Sequence, residues 1–187
     1  MYLARYSEDL KEFWPSGGPH WDALALVHLP GVTQPGALLA EGKSYVAELF
    51  GSGTGAKSGS ASRMRIEAAL AWTQRELNVT DRGPEAWCGR LYQSANRLAH
   101  VCWLRSLGVR AWLVHLLFTG DPIRETTAEE WERAIADVDR ELGLTGTEAA
   151  GHVILPAVDA RPTAISASPA HPRPRADERR PSLDDPA

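Results

Sequence analysis

Cysteine is scarce in this chain: Cys88 and Cys102, fourteen positions apart, are the two it has. That is too few for a disulfide framework or a zinc site, and it fits a reducing, cytoplasmic setting. Long hydrophobic runs are missing as well. The longest, Ala111 to Phe118, spans eight residues and is interrupted by His115, whereas a membrane span needs about twenty apolar residues, so no membrane partner is expected. The first residues carry Glu8, Asp9 and Glu12 with no apolar core segment, so no signal peptide is expected. Nor is positive charge in excess. A net charge of −4 does not mark the chain as a nucleic-acid binder, and no internal repeat is visible.

What the chain does have is enough apolar matter, 43% of 187 residues, to bury the core of one ordinary domain. Its charge is unevenly spread. Between Lys57 and Arg110 nine basic residues face four acids, which makes that segment +5 and the remainder −9. Segregated charge of this kind suits either a phosphate backbone or a pair of solvated helix faces.

The most informative pattern is acid, acid and lysine on strand-like runs. Asp22 opens the apolar run Trp21 to Val27, and nineteen positions later Ala37-Leu38-Leu39-Ala40 delivers Glu41-Gly42-Lys43. The two runs read as strands near 21–29 and 37–46, separated by the turn-rich segment Pro30 to Gly36. Side chains alternate along a strand, so Glu41 and Lys43 share a face while Gly42 offers its carbonyl. If the strands pair, Asp22 joins them, and Asp22, Glu41 and the Gly42 carbonyl form an oxygen set suited to Mg2+ or Mn2+. The lysine would then orient a water or stabilise developing negative charge. The plain alternative is that Asp22 caps a turn while Glu41 and Lys43 form a surface ion pair.

Around this motif the periodicity predicts a helix over 3–13, another from Ser60 or Ser62 through Ile66, Leu70, Thr73 and Leu77, and a long one from Trp87 to Leu107. Arg63 lies at the start of the second, where backbone N–H groups and a basic side chain can bind phosphate. The long helix has an apolar stripe, Leu91, Ala95, Leu98 and Cys102, and a polar stripe, Gln93, Asn96, Arg97 and His100. Gln93, Asn96 and Arg97 suit phosphate positioning or contact with the carboxylates. They equally suit backbone satisfaction at helix contacts, and His100 reads as a packed histidine. The Gly- and Ser-rich stretch 51–60 is a loop, either a mobile cover for the site or a surface connector; it lacks the spacing of a phosphate-binding loop. Arg110 to Thr119 reads as a strand covered on both faces. Thr127 to Glu130 forms a capping box for a helix that Gly143 stops, and a last strand runs from His152 to Val158 with Pro156 at the sheet edge. From Asp159 on, six of the thirteen prolines and alternating charges without apolar period predict a disordered C-terminal tail, 159–187.

Three segments, Trp14 to Leu24, Leu39 to Leu49 and Leu91 to His100, together resemble a bacterial branch of the PD-(D/E)XK nuclease superfamily, over about residues 14–144. The resemblance implies an α/β, restriction-endonuclease-like fold: a mixed central sheet flanked by helices in one domain, 1–158. It implies a metal-dependent nuclease that hydrolyses phosphodiester bonds, with DNA as the partner and Mg2+ or Mn2+ as cofactor. Asp22, Glu41 and Lys43 match the motif residues, and Gln93 joins them as a catalytic residue. Asp22, Glu41 and Gly42 would hold the metal, with Glu48 as an outer or second-metal ligand, and Arg63, Asn96 and Arg97 would contact substrate. The motif's proline is displaced to Pro19, and Gly42 stands where the branch usually has alanine. The branch also expects a leading helix with a further glutamate, here Glu8 or Glu12, on a helix short enough to suggest an N-terminally truncated member. The rival expectation is a catalytically inactive nucleic-acid-binding or interaction protein on the same fold.

Overall fold

The computed structural model describes residues 2–161 apart from Thr80, Glu148, Ala150, Gly151 and His152. Two strands form where the acid motif predicts them: β1, Ala23–Val27, and β2, Gly36–Lys43. They pair antiparallel, with Ala23 opposite Ala40 and Val27 opposite Gly36. β3, Ala111–Thr119, lies parallel to β2 on its other side, with Glu41 opposite His115 and Lys43 opposite Leu117. Two short parallel strands, β4 (Val153–Ile154) and β5 (Ala157–Asp159), extend the outer edge of β3. The result is a five-stranded mixed sheet in an α/β fold flanked by helices.

The helices are α1 (Ser7–Phe13), α2 (Ala61–Glu76), the single turn α3 (Pro84–Trp87), α4 (Tyr92–Ser106) and α5 (Ala128–Leu142). Local chemistry fixes their ends. The Ser60 hydroxyl accepts from the Arg63 N–H and starts α2. Thr127 and Glu130 close a reciprocal capping box on α5, which ends at Gly143 in the left-handed conformation. α4 is the central helix. Every residue from Ala95 to Leu104 is buried, so its polar side chains Asn96, Arg97 and His100 need partners inside the protein.

Several expectations change. The helix predicted from Trp87 to Leu107 is interrupted, and α4 begins at Tyr92. The loop after β2 explains the break: Gly51 N–H donates to the Arg90 carbonyl (2.7 Å) and Thr54 N–H to that of Cys88 (3.1 Å). Gly53 makes this approach possible, with φ +89° and the place of a Cβ only 2.7 Å from the Cys88 oxygen. The first part of the glycine-rich loop is thus tied to the α3–α4 junction. The helix predicted over 3–13 is a 3-10 segment, Tyr2–Tyr6, followed by α1, and the strand predicted to 46 ends at Lys43, where a short 3-10 turn, Val46–Leu49, takes over.

β3 is not covered on both faces. Ala111, Leu113, His115 and Leu117 are buried, whereas Trp112, Val114, Leu116 and Phe118 stay partly exposed and belong to neither core cluster. A continuous apolar run fits a one-sided sheet as well as a two-sided one. The last strand is split around Pro156, whose carbonyl accepts from Leu117 N–H. The ordered chain also passes 158: Asp159 belongs to β5 and Ala160 N–H donates to Thr119. His152 and the tail from 162 lie outside the described residues. No described helix is long and apolar enough to cross a membrane. Cys88 and Cys102 are free and buried, and burial pushes the Cys102 thiol up to about 12.

Candidate active site

β2 carries Glu41 and Lys43 on the face that α4 covers, and both are buried, at 7% and 6% exposure. Lys43 Nζ lies 2.9 Å from Glu41 Oε1. From α4, Arg97 places Nη2 2.7 Å from Glu41 Oε2, side chain to side chain with about nine-tenths of each shielded from solvent. The pair is an ion contact off hydrogen-bond alignment, since Glu41 Oε2 and Arg97 Nε have no hydrogen-bond partner. Two cations therefore surround one buried carboxylate. The surface ion pair foreseen as the plain alternative is excluded.

α4 contributes more than Arg97. Gln93, one turn earlier and solvent-exposed, accepts from Lys43 Nζ through Oε1 at 3.4 Å. Arg97 is held from two sides, donating to the carbonyls of Gln93 (3.5 Å) and His20 (3.2 Å), with its guanidinium 5.6 Å from the Trp21 ring centre. Asn96 is buried with Oδ1 unpartnered, and its backbone carbonyl accepts from His100 Nδ1 at 2.8 Å.

Asp22 enters through the backbone. Its N–H donates to the Ala40 carbonyl and its Oδ2 accepts from Gly42 N–H at 2.8 Å. Even-numbered residues of β2 present their main-chain polar groups toward β1, as these two bonds show, so the Gly42 carbonyl faces the Asp22 edge. The carboxylate of Asp22 thus sits beside the residue that separates Glu41 from Lys43.

His115 was not singled out for the site by sequence reasoning. It stands opposite Glu41 on β3, buried, with Nδ1 unpartnered. Burial pushes its imidazole down to about 4; the Lys43 charge acts in the same direction and Glu41 against it. The signal was present as the lone polar interruption of the run Ala111 to Phe118. Among the described residues, the buried side-chain polar atoms lacking a hydrogen-bond partner are on Glu41, Arg97, His115 and Asn96. These are the charge cluster, its neighbour on β3 and the residue before Arg97.

Two expected residues sit elsewhere. Glu48 caps the turn after β2, accepting from Ser44 N–H at 2.6 Å. Arg63 pairs with Glu67 one turn along α2 at 2.6 Å. The basic segment 57–110 is likewise largely engaged within the fold: Arg82 with Asp81, Arg90 with Glu141, Arg65 with the Lys11 carbonyl and Arg105 with that of Ala111.

The donor set bears on a metal as follows. No group of three or more His, Cys, Asp or Glu able to hold an ion is found among the described residues. Among the described residues there is therefore no all-protein cage of the calcium type. Two carboxylates and a carbonyl are donor types that Mg2+ takes beside waters and substrate phosphate oxygens, and both Glu41 oxygens here already face a cation. Comparison with protein-family models, with curated proteins and with solved structures yields no match, so any function for this chain must be argued from Asp22, Glu41, Lys43, Gln93, Arg97 and their surroundings.

Proposed function

We propose that this chain is a metal-dependent phosphodiesterase acting on nucleic acid, with DNA as substrate, and that its site is the Glu41 cluster on a restriction-endonuclease-like sheet. One observation carries the reading: a buried carboxylate held between two buried cations, with unpartnered polar atoms gathered around it. As a structural device such a triad is costly, because desolvating three charges offsets most of what their attraction returns. As a binding site it is apt. The cluster of Glu41, Lys43 and Arg97 carries one more positive than negative charge, and a phosphate would balance it.

Mg2+ or Mn2+ would be held by Asp22, Glu41 and the Gly42 carbonyl. When bound, it lowers the pKa of a coordinated water and neutralises charge on the phosphate. In the hydrolysis the water oxygen would bond to phosphorus as the bond to the leaving sugar oxygen breaks, with the water's proton passing to solvent and the leaving oxygen taking one from it. Lys43, fixed between Glu41 and Gln93, stabilises the charge that develops on the phosphoryl oxygens. Arg97, held by the His20 and Gln93 carbonyls, positions the phosphate and keeps Glu41 oriented. Glu48 and Arg63 serve turn and helix instead.

A second reading has its own observation. Glu41 already has a cation at each oxygen, which favours a protein that binds phosphate on this fold without cleaving it. Incubation of linear and circular DNA, single- and double-stranded, with Mg2+ or Mn2+ separates the two. The proposal expects metal-dependent cutting that Lys43→Ala abolishes. Binding without cutting, by folded protein, would select the second reading.

A further inference from the structure

Beside Trp21, whose ring also faces the Arg97 guanidinium, lies a groove of about 660 Å³, bounded by α1, residues 14–21, β1, β2 and α4. Its lining includes Tyr6, Trp14, Trp21 and Trp103, with Leu24 at one edge. The volume is within the usual range for a small-molecule site, roughly 300–1,000 Å³. Leu24 is 59% exposed and the Tyr6 and Trp21 rings are half-buried, so the groove opens to solvent past those two rings, while Trp14 and Trp103 are buried.

One buried polar group borders this aromatic space. His100 Nδ1 contacts the Asn96 carbonyl, and a carbonyl can only accept, so Nδ1 carries the proton and Nε2 keeps its lone pair. Nε2 is 3.7 Å from the place a Cβ would take on Gly18, and both residues line the groove. Burial holds the imidazole neutral, its pKa pushed down to about 4, with the Arg97 charge contributing. The groove thus offers flat apolar rings and, on its buried wall, one neutral acceptor nitrogen, while Ser7, Lys11, Ser16 and His20 add polar groups to its lining. A planar heterocycle carrying an N–H donor matches the rings and that nitrogen.

The groove is joined to the cluster through Arg97. Its guanidinium lies 5.6 Å from the Trp21 ring centre and its Nη2 meets both Glu41 and the His20 carbonyl. A ring stacked on Trp21 would therefore have its own backbone phosphate on the side of Arg97 and Lys43.

We infer that this groove binds one unstacked nucleobase next to the scissile phosphate, which makes the substrate a single strand or a frayed duplex end. The inference rests on the nucleic-acid reading above. Bases stacked in a duplex cannot reach such a groove, and aromatic platforms of this kind accept any base.

The test measures binding, without divalent metal, of a deoxycytidine hexanucleotide and of an abasic hexanucleotide with the same phosphates, by calorimetry. Free deoxycytidine is the third probe. The base-bearing strand should bind about tenfold tighter than the abasic one, the difference that one stacked base produces. Trp21→Ala should erase the preference. So should Tyr6→Ala, on the 3-10 segment before α1. Equal binding of the two strands by a protein that cuts DNA would overturn the groove while leaving the hydrolase. Free deoxycytidine binding as tightly as the strand would overturn the strand substrate in favour of a nucleoside site. If neither strand binds and none is cut, the nucleic-acid reading falls and takes the inference with it.

Discussion

Replacing Glu41 by glutamine removes one negative charge and almost no volume, and the structure sets what should follow. Lys43 and Arg97 would remain facing each other across the vacated charge, with about nine-tenths of each side chain shielded from solvent. Breaking a buried pair by removing one partner costs about 3–5 kcal/mol, because the charge left behind is unpaired and desolvated. Here two cations are left, which places the loss at the upper end of that range. Set against a domain stability of about 5–15 kcal/mol, the effect is large. In a chain of this length it lowers Tm by on the order of 10 °C. Lys43→Met is the control: Glu41 keeps Arg97, so its loss should be smaller, about 1–3 kcal/mol. Urea unfolding followed by circular dichroism, with equal m values as the check on two-state behaviour, measures both. A loss below about 1 kcal/mol for Glu41→Gln, or one no larger than for Lys43→Met, would refute the buried triad.

Acid should destabilise the protein. His100 and His115 are both held neutral, each pushed down to about 4 mainly by burial, whereas in the unfolded chain they titrate near 6.5. Between those values the unfolded state binds more protons. Stability therefore rises with pH through the window and is lost as pH falls from about 6.5 toward 4, by about 3 kcal/mol per histidine. Urea midpoints across that range should shift accordingly, and His115→Gln should flatten the slope; an unchanged slope would count against a buried neutral imidazole. Gly42→Ala tests the tightest point of the motif. The added Cβ would lie 3.3 Å from Phe118 Cε2 and 3.7 Å from Asp22 Oδ2. The partly exposed Phe118 ring can yield, and a strand glycine costs about 0.5–1 kcal/mol relative to alanine. Stability should be unchanged or slightly higher, and a loss above about 1 kcal/mol would show that the ring is fixed. Thr127→Ala removes the hydroxyl that accepts from Glu130 N–H, while the backbone bond from residue 127 to the Glu130 carboxylate stays, and should lower stability by about 1 kcal/mol in thermal melts.

The parts of this fold that were legible in sequence are those set by local chemistry. The capping box at Thr127 and Glu130, Gly143 as the stop of α5, and the helical spacing of Ile66, Leu70, Thr73 and Leu77 each follow from neighbours a few positions away. Glu41 and Lys43 were legible for the same reason, since two residues apart on a strand means one face. The break before Tyr92 was not, because it depends on Gly51 and Thr54 capturing carbonyls more than thirty positions along the chain. Coverage of β3 was ambiguous because an unbroken apolar run does not report how many faces are packed. Glu48 and Arg63 look like ligands by type and position, yet each has a bonding partner within four residues, Ser44 and Glu67. His115 gains its place only through the parallel register that sets it opposite Glu41.

The measurement that tests the central claim most directly is the single-turnover rate of DNA cleavage as Mg2+ is titrated, for the native chain beside Asp22→Asn. Asp22 is exposed, and its one observed side-chain bond is from Gly42 N–H, which asparagine can still accept, so the variant keeps the fold. The account predicts saturable, Mg2+-dependent cleavage by the native chain. It predicts for the variant a loss of at least about a hundredfold, partly recovered at higher metal concentration. Cleavage indifferent to Mg2+, or equal in the two proteins, would contradict it.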